Sequence, residues 1–496
     1  MKLSHVLRSI PAVALAAALL LPAARAAASA SQVTVMQDDA QIVFTSAEHR
    51  AAILDEMKAL GTDVVKVRAD WRAIAPNSGA NHKPSGFSGE NPTDYPAANW
   101  LPYDQVIEGI VSRGMKPYVL LGGRAPDWAS GKSPVDRPKP GEFRRFAQAV
   151  GSRYSGSFVP GGLPLDPALP RVEIFSIWNE PSLKSWLSPQ YAHGRPVSPR
   201  IYRTLLRAGD RGLRNSGHGG DQILFGELLP FARSGESGRL KVRPVEFLRE
   251  LACVDGDYHP YKGKAAKVRG CKDFKPLPGT GLAHHPYTLP GGPDIENPNH
   301  DDASIAELGR LVHALDRLSK GHRLKGKRLP IWLSEFGFQT NPPDRYQSPI
   351  KKVPAFLGQS EWLAYRNPRV ASYAQYPLID DPMDSGGGGF QSGLRRSNGK
   401  KKGPVYRAFK APLFVRKSGN AVEIFGGVRF GTSGDKVTIE SRVGGKGKFK
   451  PLPGGGKATL NPQGYFDRVF SLSKAAERQY RFRYSGGKSR NANVHG

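Results

Sequence analysis

One pattern governs residues 47–376: an amphipathic helical run, a glycine or proline stop, and then a short strand that is apolar at almost every position. "AEHRAAILDEMKALGTDVVKVRADW" sets Ile53, Leu54, Met57 and Leu60 on one helical face, stops at Gly61 and enters a strand over 64–67. "YDQVIEGIVSRGMKPYVLLGG" repeats this with Val106, Ile110 and Val111, a stop at Gly114 and a strand over 118–121. The helix "GEFRRFAQAVGSRYSG" leads to "RVEIFSIW". A helix opened by Ser198-Pro199, with Ser198 as its cap, runs to about Arg214 and leads to "DQILFGELL". "GLAHHPY", a helix over 304–318, "LPIWLSEFGF" and "RVASYAQYPL" complete the series.

Strands with no polar alternation are buried on both faces, as in parallel sheets wrapped by helices. Counting from "VTVMQD" at Val33 gives about eight before residue 410. That number favours a closed (β/α)8 TIM barrel over an open doubly wound sheet, and no Gly-rich phosphate loop joins a strand to a helix. Beyond about Pro412 the pattern changes. "AVEIFGGVRF", "KVTIESRV", "YFDRVFSL" and "RQYRFRYSG" mix β-branched and aromatic residues between glycine turns, as expected of a small antiparallel β-sandwich. Its aromatic candidates for holding a sugar are Tyr465, Phe466, Tyr480 and Tyr484.

The N-terminus has Lys2 and Arg8 ahead of an apolar run over 12–21, then the small-residue sites Ala24-Arg25-Ala26 and Ala28-Ser29-Ala30. This is the layout of a secretory signal peptide, too short and wrongly flanked for a membrane span. The expected organisation is a signal peptide over 1–30, a barrel over 31–411 and a sandwich over 412–496. The mature chain is expected to be secreted and free of the membrane. Cys253 and Cys271, the only cysteines, are expected to form a disulfide, contributing roughly 3 kcal/mol in the chain-entropy model. No histidine or cysteine cluster has metal-ligand spacing, so neither metal nor organic cofactor is expected.

The formal charge is +29. Such a field attracts acidic polymers, although part of it lies in the loop-like "RRSNGKKKG" over 395–403. No nucleic-acid module accompanies it. The expected partner is a polysaccharide or oligosaccharide, with acidic glycans bound better than neutral ones.

Two carboxylates end apolar strands: Glu180 in "FSIWNEPS" and Glu335 in "IWLSEFGF". A parallel barrel opens all its strand ends on one face, so both arrive at one mouth. Paired carboxylates there suit glycosidic bond cleavage. Taken singly, Glu180 also suits the positive end of a helix begun at Pro181, and Glu335 a buried partner for an arginine. Their joint occurrence, each with a tryptophan close upstream (Trp178, Trp332), points to chemistry.

"WNEP" at 178–181 and "SEFGF" at 334–338 resemble the acid/base and nucleophile motifs of clan A glycoside hydrolases, in the style of families 5 and 39. The resemblance spans about residues 33–410. It implies a retaining double-displacement glycosidase acting on β-linked sugars, with Glu180 as general acid/base, Glu335 as nucleophile and Asn179 on the 2-hydroxyl. It further implies roles for Arg68 in "VKVRADW" and for His285 and Tyr287 in "HPY". Two positions depart from it. Gln375 and Tyr376 stand where the clan often has a tryptophan, making Tyr376 a substrate-contact candidate, and Arg124 stands where many relatives have a histidine.

Each further candidate has a structural reading beside the functional one. Arg68 is either a structural ion pair or the group that keeps Glu335 ionised; His285 is either a satisfied buried histidine or a substrate contact. Tyr287 either bonds the nucleophile or packs, and Trp128 in "APDWAS" either stacks on a sugar or plugs the rim. A retaining enzyme requires its carboxyl groups about 5 to 5.5 Å apart. The competing functions are a non-catalytic carbohydrate- or wall-binding barrel and a transglycosylase.

Overall fold

The structure, a computed structural model, describes residue 29 and residues 32–162, 167–233, 235–236, 238–345, 347–383, 389–453 and 455–495. The expected signal peptide lies outside these residues apart from Ser29, as does the glycine run 386–389 apart from Gly389. Eight strands close into a barrel: β1 (Val33–Gln37), β2 (Val64–Asp70), β3 (Lys116–Gly122), β4 (Ile174–Ile177), β5 (Gln222–Leu228), β6 (Gly281–His284), β7 (Ile331–Leu333) and β8 (Val370–Gln375). All neighbours are parallel, and β8 pairs back to β1 through Val33 and Ser372. Each coincides with one of the expected apolar runs.

The principal helices are α1 (Ala47–Ala59), α2 (Ala97–Val111), α3 (Pro140–Arg153), α4 (Ser198–Asn215), α5 (Pro244–Leu251), α6 (Leu308–Lys320) and α7 (Val353–Tyr365), followed by α8 (Gly403–Lys410). α4 begins one residue earlier than its capping pattern suggests. Val197 is the cap, and the Ser198 hydroxyl, inside the first turn, donates to Gln190 Oε1 at 2.9 Å. After α5, a disulfide joins Cys253 to Cys271, as expected.

The C-terminal region forms antiparallel sheets around its own core. β9 (Leu413–Ser418), β10 (Ala421–Gly427) and β12 (Tyr465–Phe470) make one sheet; β11 (Lys436–Val443) and β13 (Arg478–Tyr484) centre the other. Leu413, Ile424, Ile439, Phe466 and Phe482 are buried between them. Three of the four rings that were candidates for holding a sugar are interior instead. Phe466 and Tyr480 fill the sandwich core, while Tyr465 packs with Tyr365 and Phe425 against α7. Adjacent strand residues face opposite ways, and here both faces are covered.

Arg429 ties the sandwich to the barrel. It is buried and donates to the Phe409 carbonyl at 2.6 Å, Thr34 Oγ1 at 2.7 Å and Glu361 Oε2 at 2.7 Å; Tyr465 donates to the other Glu361 oxygen. Gly61, with φ of 76°, permits this approach, because a Cβ there would lie 2.5 Å from the Arg429 backbone. Burial raises the Glu361 pKa and the Arg429 charge opposes that rise. Arg429→Ala should therefore destabilise the protein by roughly 3–5 kcal/mol in denaturant unfolding, since it strands a buried carboxylate. Replacing both partners with apolar residues should cost much less.

Candidate active site

β2 sends alternate side chains into the barrel, so Lys66 and Arg68 share its inner face one layer apart. Lys66 lies in the deeper layer. Its side chain is fully buried, with Nζ 2.9 Å from Glu227 Oε2 and 3.3 Å from Glu335 Oε1. Glu227 reaches the interior through an irregularity in β5. The register to β6 shifts between Gly226 and Leu228, and Glu227 is the extra residue, with φ of 49°.

The Glu227 carboxylate is also fully buried and accepts from five donors. Tyr118 OH at 2.5 Å and Ser176 Oγ at 2.6 Å share Oε1; Lys66 Nζ, His285 Nε2 at 2.7 Å and Ser334 Oγ at 2.6 Å share Oε2. These donors come from β2, β3, β4 and the segments following β6 and β7. One side chain thus joins five parts of the barrel wall.

Glu180 and Glu335 stand above this cluster. β4 ends at Ile177, and Trp178 and Glu180 then take φ of 65° and 35° on either side of Asn179. Such conformations are costly for residues with a side chain and collect at functional sites. Packing holds the turn in place. The Trp178 indole donates to the Trp186 carbonyl at 2.9 Å and meets Phe143 edge-on at 5.5 Å, and its ring leaves no room for a Cβ at Gly122.

His285 links the two rim carboxylates. Its Nδ1 is 3.0 Å from Glu180 Oε1 and 3.5 Å from Glu335 Oε2. Two oxygens so near one nitrogen lie at most about 6.5 Å apart, so both carboxyl groups reach the same mouth. The Tyr287 hydroxyl donates to Glu335 Oε2 at 3.4 Å, a long bond.

The charges sustain one another. Burial alone would discharge His285, but the Glu335 charge and the bonds to Glu180 and Glu227 push its pKa up to about 9. At neutral pH it is an imidazolium donating from both nitrogens. Burial would likewise protonate Glu227, yet the Lys66 charge and His285 hold it well below the usual carboxylate range. Lys66 opposes its own burial through Glu227 and Glu335 and stays above its ordinary value. Burial and the Glu335 charge raise the Tyr287 phenol, which keeps it a donor. Neighbouring His284 faces away from this cluster: burial drives its pKa down to about 3, and its Nε2 donates to the Ala303 carbonyl.

The expected residues therefore divide. Glu180, Glu335, His285 and Tyr287 converge, with Asn179 between the two left-handed residues. Arg68 does not take the place beside Glu335 that one reading gives it. Among the described residues no hydrogen bond or ion pair joins them, because Arg68 sits a layer higher. It lies over the Trp186 ring, 5.2 Å from the centroid, with Nε 3.6 Å from Asp70 Oδ2. Trp128 offers no open face: it is 3% exposed, packed edge-on against Trp71 and Phe87, and bonded to the Pro76 carbonyl.

Tyr376 stands at the mouth within the field of Glu335, and its ring lies 5.0 Å from Phe390. Phe390, 36% exposed, also touches Tyr287 and, with the partly exposed Trp186, is an aromatic surface the sequence reading missed. Lys66 and Glu227 were missed too. Their only signal is a charge inside an otherwise apolar strand. Two buried atoms at the mouth, Asn179 Oδ1 and Arg68 Nε, have no hydrogen-bond partner among the described residues.

No protein-family model and no curated relative matches the chain. Solved structures that resemble it include a family 39 glycoside hydrolase from Bacteroides cellulosilyticus, with 16% identity and a TM-score of 0.48 over 89% of this chain and 81% of that one. A family 5 subfamily 18 enzyme from Bifidobacterium longum subsp. longum, in complex with Manβ1-4GlcNAc, has 13% identity and a TM-score of 0.47 over 76% and 77%. A family 1 β-glucosidase from Thermotoga maritima has 14% identity and a TM-score of 0.44 over 73% and 85%. Likeness at this level concerns the barrel, and the site is read from its own residues.

The raised His285 pKa makes stability depend on pH. The imidazolium's contribution is complete below its unfolded value of 6.5 and is lost as pH rises through about 9. Melting temperature should fall across that window. In His285→Gln it should be lower at pH 6.5 and lack this decline, as thermal melts from pH 6 to 10 would record.

Proposed function

We propose that the protein is a retaining glycoside hydrolase that cleaves β-linked sugars in an oligosaccharide or polysaccharide. The observation that carries this reading is the pair of rim carboxylates, Glu180 and Glu335, brought to one imidazolium at the same barrel mouth. In the first step Glu335 attacks the anomeric carbon while Glu180 gives its proton to the departing oxygen. The carbon–oxygen bond to the leaving group breaks as an ester bond to Glu335 forms. Lys66 and His285 hold Glu335 in position, and Tyr287 steadies its second oxygen. In the second step Glu180, now a carboxylate, takes a proton from water. The resulting hydroxide oxygen bonds to the anomeric carbon and releases Glu335.

Charge bookkeeping supports the scheme. Three carboxylates, Glu180, Glu227 and Glu335, face two cations, Lys66 and His285, so a proton on Glu180 makes the cluster neutral. Forming the ester removes the charge from Glu335 as Glu180 gains one. The cluster's total is unchanged, and His285 Nδ1 faces both carboxylates throughout. Asn179 Oδ1 suits a sugar hydroxyl, because it is buried with no hydrogen-bond partner among the described residues. Trp186, Tyr376 and Phe390 offer apolar faces for a pyranose.

Export fits both the leader pattern and the disulfide. Ser29 is buried, its amide bonded to the Tyr365 carbonyl at 2.8 Å and its hydroxyl to the Val370 carbonyl at 2.5 Å. Cleavage after Ala26, which retains Ser29, is therefore favoured over cleavage after Ala30. N-terminal sequencing of the exported protein should begin at Ala27; a start at Ser31 would contradict this assignment.

A panel of aryl β-glycosides and β-linked polysaccharides tests the activity. Glu335→Ala should abolish turnover while the circular dichroism spectrum stays native. Glu180→Ala should lose about 10²- to 10⁴-fold on substrates with poor leaving groups and less on activated ones, and azide should restore its turnover as a β-glycosyl azide. Binding across the panel with no hydrolysis by the unaltered enzyme would sink the proposal.

A further inference from the structure

At the end of the barrel opposite the mouth, the last turns of α4 and the segments leading into β6 and β7 enclose a groove of about 490 Å³. Arg207, Arg211, Arg214, Lys275 and Lys325 line it, against the single carboxylate of Asp210. Asp210 is already committed to Arg214, at 2.9 Å. Arg207, Arg211, Lys275 and Lys325 have no ion-pair partner among the described residues. The nearby contacts add charge without neutralising it. Arg203, Arg207 and Arg323 all lie over the Phe274 ring, 5.8, 5.7 and 3.8 Å from its centroid. Arg203 spends its N–H groups on the carbonyls of Glu250, Leu251, Arg269 and Gly270, and Arg323 on that of Ala252. Burial, and after it the charge of Arg207, pulls the Arg203 pKa down to about 10, with Glu250 opposing this only in part.

We infer that this groove is a binding site for a single strand of acidic polysaccharide, separate from the catalytic mouth and used to hold the protein on an anionic polymer. Helical rise places Arg207, Arg211 and Arg214 about 6 and 4.5 Å apart along the axis, a step on the order of one sugar unit. The site is concave, which suits an extended chain better than a flat lipid surface. The one aromatic ring beside it, Phe274, is covered by guanidinium groups, which leaves no face for the base stacking that single-stranded nucleic acid uses. At the mouth, by contrast, Arg68 faces Asp70, and Asp70 in turn feels the charges of both Arg68 and Arg124. Between these two sites, the acidic preference expected from the net charge of +29 belongs to the groove rather than to the mouth.

The test uses the full mature protein and the double reversal Arg211→Glu/Lys325→Glu, both exposed and unpaired. Lys446→Glu/Lys448→Glu, in an exposed turn of the sandwich, makes the same change in net charge elsewhere. Binding is measured to polygalacturonate, neutral galactan, duplex DNA and phosphatidylglycerol vesicles. The groove variant should bind polygalacturonate at least tenfold more weakly than the unaltered protein, and the control less than twofold. Unaltered binding should weaken as salt rises. Turnover of a small aryl glycoside should be the same in all three proteins, so loss of catalysis and loss of this site are told apart. Equal weakening by the two variants would assign the attraction to net charge alone and overturn the proposal. Tighter binding of DNA or vesicles through Arg211 and Lys325 would overturn it as well.

Discussion

Three carboxylates and two cations occupy the upper interior of the barrel, and the surrounding fold is tolerable only because they compensate one another. A buried Glu227 without Lys66 and His285 would either be protonated or unfold its strand, and Lys66 without Glu227 is an equally poor guest in an apolar wall. Five donors from different parts of the wall converge on the Glu227 carboxylate, so this side chain also fixes how those segments sit relative to one another. The bulge at Glu227 is the local cost of that arrangement.

From this base the rim chemistry follows. His285 is bonded from below to Glu227, and it presents its second nitrogen upward to Glu180 and Glu335, whose charge does most to keep it an imidazolium. Lys66 touches both Glu227 and Glu335, so the residue that braces the barrel wall also positions the carboxylate proposed as nucleophile. Further out, Arg429 and Glu361 seal the sandwich against the barrel with a second buried pair. That contact lies on α7 and the base of β1, away from the mouth, and its role is architectural.

Much of the frame was legible in the sequence because strands buried on both faces must be apolar throughout, and eight such runs between helices leave few alternatives. Glu180 and Glu335 were legible for the converse reason: carboxylates at the ends of apolar strands need an explanation. Lys66 and Glu227 were not, since a lone charge within a strand does not announce its partner, and nothing in "ILFGELL" marks the bulge that turns Glu227 inward. The choice between Lys66 and Arg68 beside Glu335 depends on depth within the barrel, which alternation cannot supply. Whether Trp128 stacks on a sugar or plugs the rim, and whether Tyr465 is an open platform, is decided by tertiary neighbours the sequence does not name: Trp71 and Phe87 for one, Tyr365 and Phe425 for the other.

In the proposed mechanism, Glu335 is the residue that bonds to sugar, with Glu180 beside it as the proton carrier. A 2-deoxy-2-fluoro β-glycoside with a good leaving group slows both steps, the second more, so that the glycosyl-enzyme accumulates. Intact mass spectrometry should then show one sugar added per chain, and peptide mapping should place it on Glu335 in "SEFGF". A label on Glu180 or Glu227, or an enzyme that hydrolyses glycosides with inversion and never retains a label, would contradict the account.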